Sequence, residues 1–164
     1  MNAQSGADTG YLETLRGWIL AVLVLGLAGT VVELVLLSHF EQLLQMIPVA
    51  LIALSIVTLA WHVLSRDALS LKLLMVVMAL FVFAGFTGFV AHFHGSAEFA
   101  LELDPDIGGW ALFLKVLHAK APPLLAPGMM LQLGLLGFAY VLSDQRYRAR
   151  ATRLFGFLGL KGGN

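Results

Sequence analysis

The chain has no cysteine and very little charge. The first absence excludes disulfides, thiolate metal sites and cysteine nucleophiles. The second is the more telling. Charged residues make up only 12% of the 164 residues, against 59% apolar ones; soluble domains carry about 25% charged residues. So few charges could not cover so much apolar surface in water, and the balance points to lipid as the solvent. The chain has no Gly-x-Ser-x-Gly element, no His-Glu-x-x-His element, no internal repeat and no low-complexity tract. Basic residues cluster only near the C-terminus, and no pattern points to nucleic acid. The length suits one domain.

What is present is long apolar runs. A helix rises about 1.5 Å per residue, so roughly 20 apolar residues cross a ~30 Å hydrocarbon core. Four stretches meet that requirement, at 17–38, 47–65, 71–91 and 124–142. The first is too long for the apolar region of a cleaved signal peptide and ends in LVLLSHFEQ, so it is expected to be a retained helix. Residues 1–16 read as frayed or as a short surface helix from Asp8. The predicted fold is therefore all-α: an integral membrane four-helix bundle, treated as a single transmembrane domain over 1–164. Residues 92–123 form a cap between the third and fourth spans, and 143–164 form an amphipathic basic tail.

Counting lysine and arginine orients this arrangement. Arg16, Arg66, Lys72, Arg146, Arg148, Arg150, Arg153 and Lys161 fall on one side, whereas Lys115 and Lys120 fall on the other. The expectation is a bacterial inner-membrane, multi-pass protein with both termini cytoplasmic and the cap outside. In the tail, Tyr147, Ala151, Leu154, Phe155 and Leu158 share one helical face. Arg146, Arg150 and Arg153 occupy another, which suits the anionic inner leaflet.

Glycine marks where spans touch, because association in lipid depends on close backbone approach. Gly26, Gly29 or Thr30 and Glu33 form one stripe, Gly85, Gly88 and His92 a second, and Met130, Gly134 and Gly137 a third. These stripes are expected to face one another. Glu33 lies about 7.5 Å inside its span. A carboxylate there costs several kcal/mol unless partnered, and the expected polar cluster is Glu33, His92, Gln45 and Gln132.

The cap, HFHGSAEFALELDPDIGGWALFLKVLHAKAPP, concentrates titratable groups. Residues 98–104 read either as a strand-like run or as a helical turn with Glu98 above Glu102. Gly108 and Gly109 then release an amphipathic interfacial helix at 110–119, with Trp110 at the headgroup level. Glu33, His39, His92, His94 and Glu98 supply imidazole and carboxylate at the outer face. That donor set suits Zn or Fe, and Met129 and Met130 add softness for Cu. The rival reading is a purely structural network with no cofactor. A haem held between spans is disfavoured, because His62 and His92 sit at opposite ends of their helices. His62, next to Trp61, reads as an interface anchor.

Three blocks carry a resemblance: GTVVELVLLSHFEQLLQMIP at 29–48, HFHGSAEFALELDPDIGGW at 92–110 and APPLLAPGMMLQLGLLGFAY at 121–140. Together they resemble an uncharacterised family of small four-helix bacterial integral membrane proteins, over about residues 16–142. The resemblance implies the fold and the membrane placement, and no activity. The functional expectation is a non-enzymatic accessory or assembly subunit of a larger membrane complex. It would contact lipid and either other membrane subunits or further copies of itself. The alternative is a metal- or redox-cofactor protein using the outer His and carboxylate groups.

Overall fold

The computed structural model describes residues 2–36, 45–119 and 125–144. Helices α1 (Asn2–Leu36), α2 (Met46–Ser65), α3 (Ala68–Leu103), α4 (Gly109–Leu117) and α5 (Leu125–Leu142) are its elements. No strand occurs among the described residues. α1, α2, α3 and α5 are each long and apolar enough to cross a membrane, and the protein is a multi-pass helical bundle.

Two helices run well past their apolar segments. α1 begins at Asn2, so the polar leader continues the first span as one rod. α3 has 36 residues, about 54 Å at the helical rise. It continues unbroken through His92, Glu98 and Glu102, which settles residues 98–103 as helix and moves the start of the cap. The predicted break near residue 91 is missing because HFHGSAEFALEL contains no proline and only one glycine. The chain leaves the helix only at Asp104-Pro105. Residues 92–103 therefore project roughly 18 Å beyond the third span.

α4 folds back against this projection. Its Phe113 packs on Phe93 of α3 at 5.8 Å between ring centroids, Trp110 stacks on Phe113 at 4.9 Å, and Val116 is buried. Lys115 lies 3.7 Å from Asp104. Gly109 opens the helix at φ +56, a left-handed conformation that costs other residues roughly 1–2 kcal/mol. The predicted interfacial helix thus exists, seated on the extension of α3.

The spine of the bundle is α3 against α5, their most extensive contact. Gly85 lies against the backbone of Pro127 and Leu131, and Gly134 against the backbone of Met78 and Val82. Gly137 accommodates the Met78 side chain, and on α1 Gly26 accommodates Leu133. Gly29 meets nothing within 4 Å. Phe81, Leu74, Met78, Leu23, Leu27 and Val141 fill the core between these seams. α1 is the most peripheral span: 22% of its apolar window is buried, against 39% for α5.

The α2–α3 link is short and fully specified. Arg66 ends α2 in the left-handed region at φ 50, with its N–H bonded to His62 O at 2.9 Å. Asp67 caps α3, accepting Ser70 N–H at 2.7 Å and the Ser65 hydroxyl at 2.6 Å. The Ser65 hydroxyl first, then the Ser70 N–H, holds the Asp67 carboxyl below its ordinary pKa, because both bonds favour the ionised form.

Candidate functional site

Each span has a polar residue where its apolar run ends, on the side where α1 enters and α5 leaves the bundle. On α1 it is Arg16, on α2 His62, on α3 Ser70, and just past α5 Asp144. Up-and-down threading returns all four positions to one level, and the structure joins them. Arg16 Nη1 pairs with Asp144 Oδ2 at 2.6 Å, and Arg16 Nη2 lies 3.1 Å from His62 Nε2. His62 Nδ1 is 3.0 Å from Ser70 Oγ, and Ser70 Oγ is 2.9 Å from the Asp67 carbonyl. The Arg16 guanidinium also lies 4.7 Å from the centre of the Tyr140 ring, a cation–π contact, and the His62 ring meets Tyr140 edge-on at 6.0 Å.

The direction of every proton in this chain follows from donor inventory. Guanidinium has donors and no acceptor, so Arg16 donates to His62 Nε2, which must be the bare nitrogen. The ring proton is then on Nδ1 and donates to Ser70 Oγ. The Ser70 hydroxyl donates to the Asp67 carbonyl, which can only accept. Both ring nitrogens of His62 are thereby committed. His62 and Ser70 are buried, and the side chains of Arg16 and Asp144 are 25% and 8% exposed. The network ties α1, α2, α3 and the end of α5 at one level. Arg16, His62, Tyr140 and Asp144 themselves line an open cavity of about 450 Å³, together with Leu12, Glu13, Leu20, Val63 and Arg66.

Sequence reasoning did not find this cluster. His62 beside Trp61 reads as an interface anchor, yet His62 is 3% exposed while Trp61 is 39% exposed. The two rings point to different faces of α2. The available signal was depth: Arg16, His62, Ser70 and Asp144 each mark an apolar boundary on the same side.

At the opposite end, the predicted groups divide. Gln45 and His92 line one groove, together with Ser96, Lys115 and His118. Glu33 is exposed on α1, and Gln132 is exposed on α5; neither lines that groove. His92, His94 and Glu98 are exposed on the α3 projection. On a helix, residues two apart point to nearly opposite faces while residues four apart stack, so His92 and His94 diverge and His94 shares a side with Glu98. Among the described residues no three His, Asp or Glu side chains come together as a metal-holding group. His39 of the expected set lies outside the described residues, as do Arg146, Arg150 and Arg153 of the tail. Met130 is buried in the α5 core.

These features define a multi-pass helical membrane protein with a polar lock at one end of the bundle and a helical cap over a groove at the other. No family model, no curated protein and no solved structure matches the chain.

Proposed function

We propose that the protein is a non-enzymatic accessory subunit of a larger assembly in the bacterial inner membrane. In this reading both termini lie in the cytoplasm and the α3–α4 cap lies outside, in keeping with eight basic residues on one side against two on the other. The observation that carries the proposal is the placement of Glu33 and Gln132. Gly26 of α1 and Leu133 of α5 meet in the α1–α5 seam. Glu33 falls two turns beyond Gly26 on the same side of α1, and Gln132 immediately precedes Leu133. Both side chains are exposed within spans whose other outward residues are apolar, such as Val22, Leu25, Val32 and Leu135.

A carboxylate or amide facing hydrocarbon is costly, and in membranes such groups hold helices together by bonding across to a neighbour. The seam of α1 and α5 is thus an apolar surface with two polar fasteners, suited to a transmembrane helix of another subunit. The peripheral seat of α1 leaves that surface open.

A photo-crosslinking residue at Gln132, in native membranes, tests this. The expected product is an adduct with a different membrane polypeptide, lost in a Glu33→Leu background. Because Glu33 is exposed, Glu33→Leu should leave the melting temperature of the purified protein unchanged. Adducts with lipid alone, or only with a second copy of the chain, would contradict the accessory reading.

A further inference from the structure

We propose that the outer groove is a binding site for one anionic phospholipid of the outer leaflet, its phosphate held by Lys115 and His118 and its chains lying in a furrow along α3. The groove is about 1000 Å³, the upper end of the size range of ligand sites. It is formed by the start of α2, the second half of α3, and α4. Its floor is a run of small residues on α3, from Ala84 through Gly88 to Ala91 and Gly95, about 16 Å long at the helical rise. No atom lies within 4 Å of where a Gly95 side chain would begin, so the furrow is open there.

Depth decides the class of ligand. Counting about 20 residues of hydrocarbon thickness from the start of α3 reaches Gly88 to Ala91. The lower floor, Ala84 to Gly88, is therefore at chain level, and the section from His92 to Ser96 is at headgroup level. Polar groups are distributed to match. Gln45, His92, Ser96, Lys115 and His118 gather at the upper level, with Phe99, Leu103 and Val116 as an apolar wall beside them, whereas the lower section is lined by Ile47, Pro48 and Ala84, with Thr87 as its one hydroxyl. The Thr87 hydroxyl is already committed to the Phe83 carbonyl at 3.0 Å. An amphiphile standing in the leaflet fits that division, and a fully water-soluble ligand does not.

Charge decides the headgroup. The described residues lining the groove include one lysine and two histidines and no carboxylate. Asp104, 3.7 Å from Lys115, stands outside it. His118 Nδ1 donates to the Leu114 carbonyl at 2.8 Å, which fixes the ring and leaves Nε2 as its other polar edge. Lys115 offers one phosphate a charge-assisted bond, and the His118 ring lines the same end of the groove as its second polar contact.

The test uses the full chain, purified in a neutral detergent and then reconstituted in nanodiscs of phosphatidylcholine containing a minority of phosphatidylglycerol. Native mass spectrometry after release reads the lipid retained. The wild type is expected to keep one phosphatidylglycerol per chain in preference to phosphatidylcholine. Lys115→Gln with His118→Gln should lower that retention at least about tenfold, because the charge-assisted bond to the phosphate is lost. Gly95→Leu, whose Cβ has no protein atom within 4 Å, should lower it by filling the furrow while leaving the melting temperature unchanged. Equal retention of the two lipids, undiminished retention in the double variant, or a groove occupied by a second copy with no lipid bound would each overturn the proposal. These readouts are independent of the Gln132 crosslink, so the site and the subunit reading stand or fall separately.

Discussion

Gly134→Leu is expected to abolish the folded bundle, while Gly29→Leu leaves it intact. The two glycines look alike in the sequence, each one small residue within a membrane span. Their surroundings differ in kind. A Cβ at Gly134 would stand 2.9 Å from the Met78 carbonyl oxygen and 2.9 Å from Val82 N. Both are backbone atoms of α3, so relief requires the two central helices to separate. Even Gly134→Ala should cost about 1–3 kcal/mol, the usual range for overpacking. Leucine adds a branched side chain to the same place, and the expected loss exceeds about 3 kcal/mol, a large share of the ~5–15 kcal/mol that holds a domain folded. Gly85 is held in the same way by Leu131 N and Pro127 O. Gly29 faces open space, and a leucine there meets lipid or detergent. Thermal melts followed by the size-exclusion peak in detergent check the ranking, Gly134→Leu far below Gly134→Ala and Gly29→Leu level with wild type. Similar melts for all three would mean that α3 and α5 do not meet along this seam.

Arg16→Leu is expected to destabilise the bundle more than Asp144→Leu, and the double variant less than the sum of the two. Asp144→Leu leaves Arg16 without its carboxylate. Breaking a buried pair costs about 3–5 kcal/mol, and the lower end applies here because the Arg16 side chain keeps some contact with water. Arg16→Leu removes more, since it takes the cation from Asp144, the donor from His62 Nε2 and the charge over the Tyr140 ring together. The two side chains are in direct contact, so the energies should fail to add by at least about 1 kcal/mol, as for contacting residues generally. A double-mutant cycle on melting temperature or on unfolding in a denaturing detergent measures this. Strict additivity would show that Arg16 and Asp144 are independent and that the lock does not exist.

The legible and illegible parts of this protein divide along one physical line. Apolar runs long enough to cross a bilayer are read directly from composition, which is why α2, α3 and α5 begin at Met46, Ala68 and Leu125, each close to the predicted starts at 47, 71 and 124, whereas α1 extends back past residue 17 to Asn2. Close packing is nearly as legible, because Gly85, Gly88, Gly134 and Gly137 can be explained only by a neighbouring backbone or side chain. What failed was the rotation of helices relative to one another. Glu33 and His92 each share a stripe with glycines that do pack, so a polar pair between them was a natural expectation. Yet Gly85 and Gly88 turn toward α5, and α1 meets α5 through Gly26 and Leu133. That arrangement sends Glu33 to the outer flank of the seam. The cap start was missed because apolarity falls near residue 91 while helix-forming capacity does not. The inner lock was missed for another reason. Arg16, His62, Ser70 and Asp144 are separated by up to 128 positions, the difference between the first and last of these residue numbers. Their convergence follows only from counting depth on all four spans at once.

The placement of the lock and the cap at opposite faces of the membrane is the central claim, and the absence of cysteine makes it directly measurable. Asp106→Cys, in the turn between α3 and α4, and Asn164→Cys each introduce the only thiol in the chain. In intact cells a membrane-impermeant maleimide is expected to label Asp106→Cys fully and Asn164→Cys only after the membrane is opened. Labelling of Asn164→Cys in intact cells, with Asp106→Cys protected until permeabilisation, would contradict the orientation. Equal labelling of both before permeabilisation would contradict the four-span bundle itself.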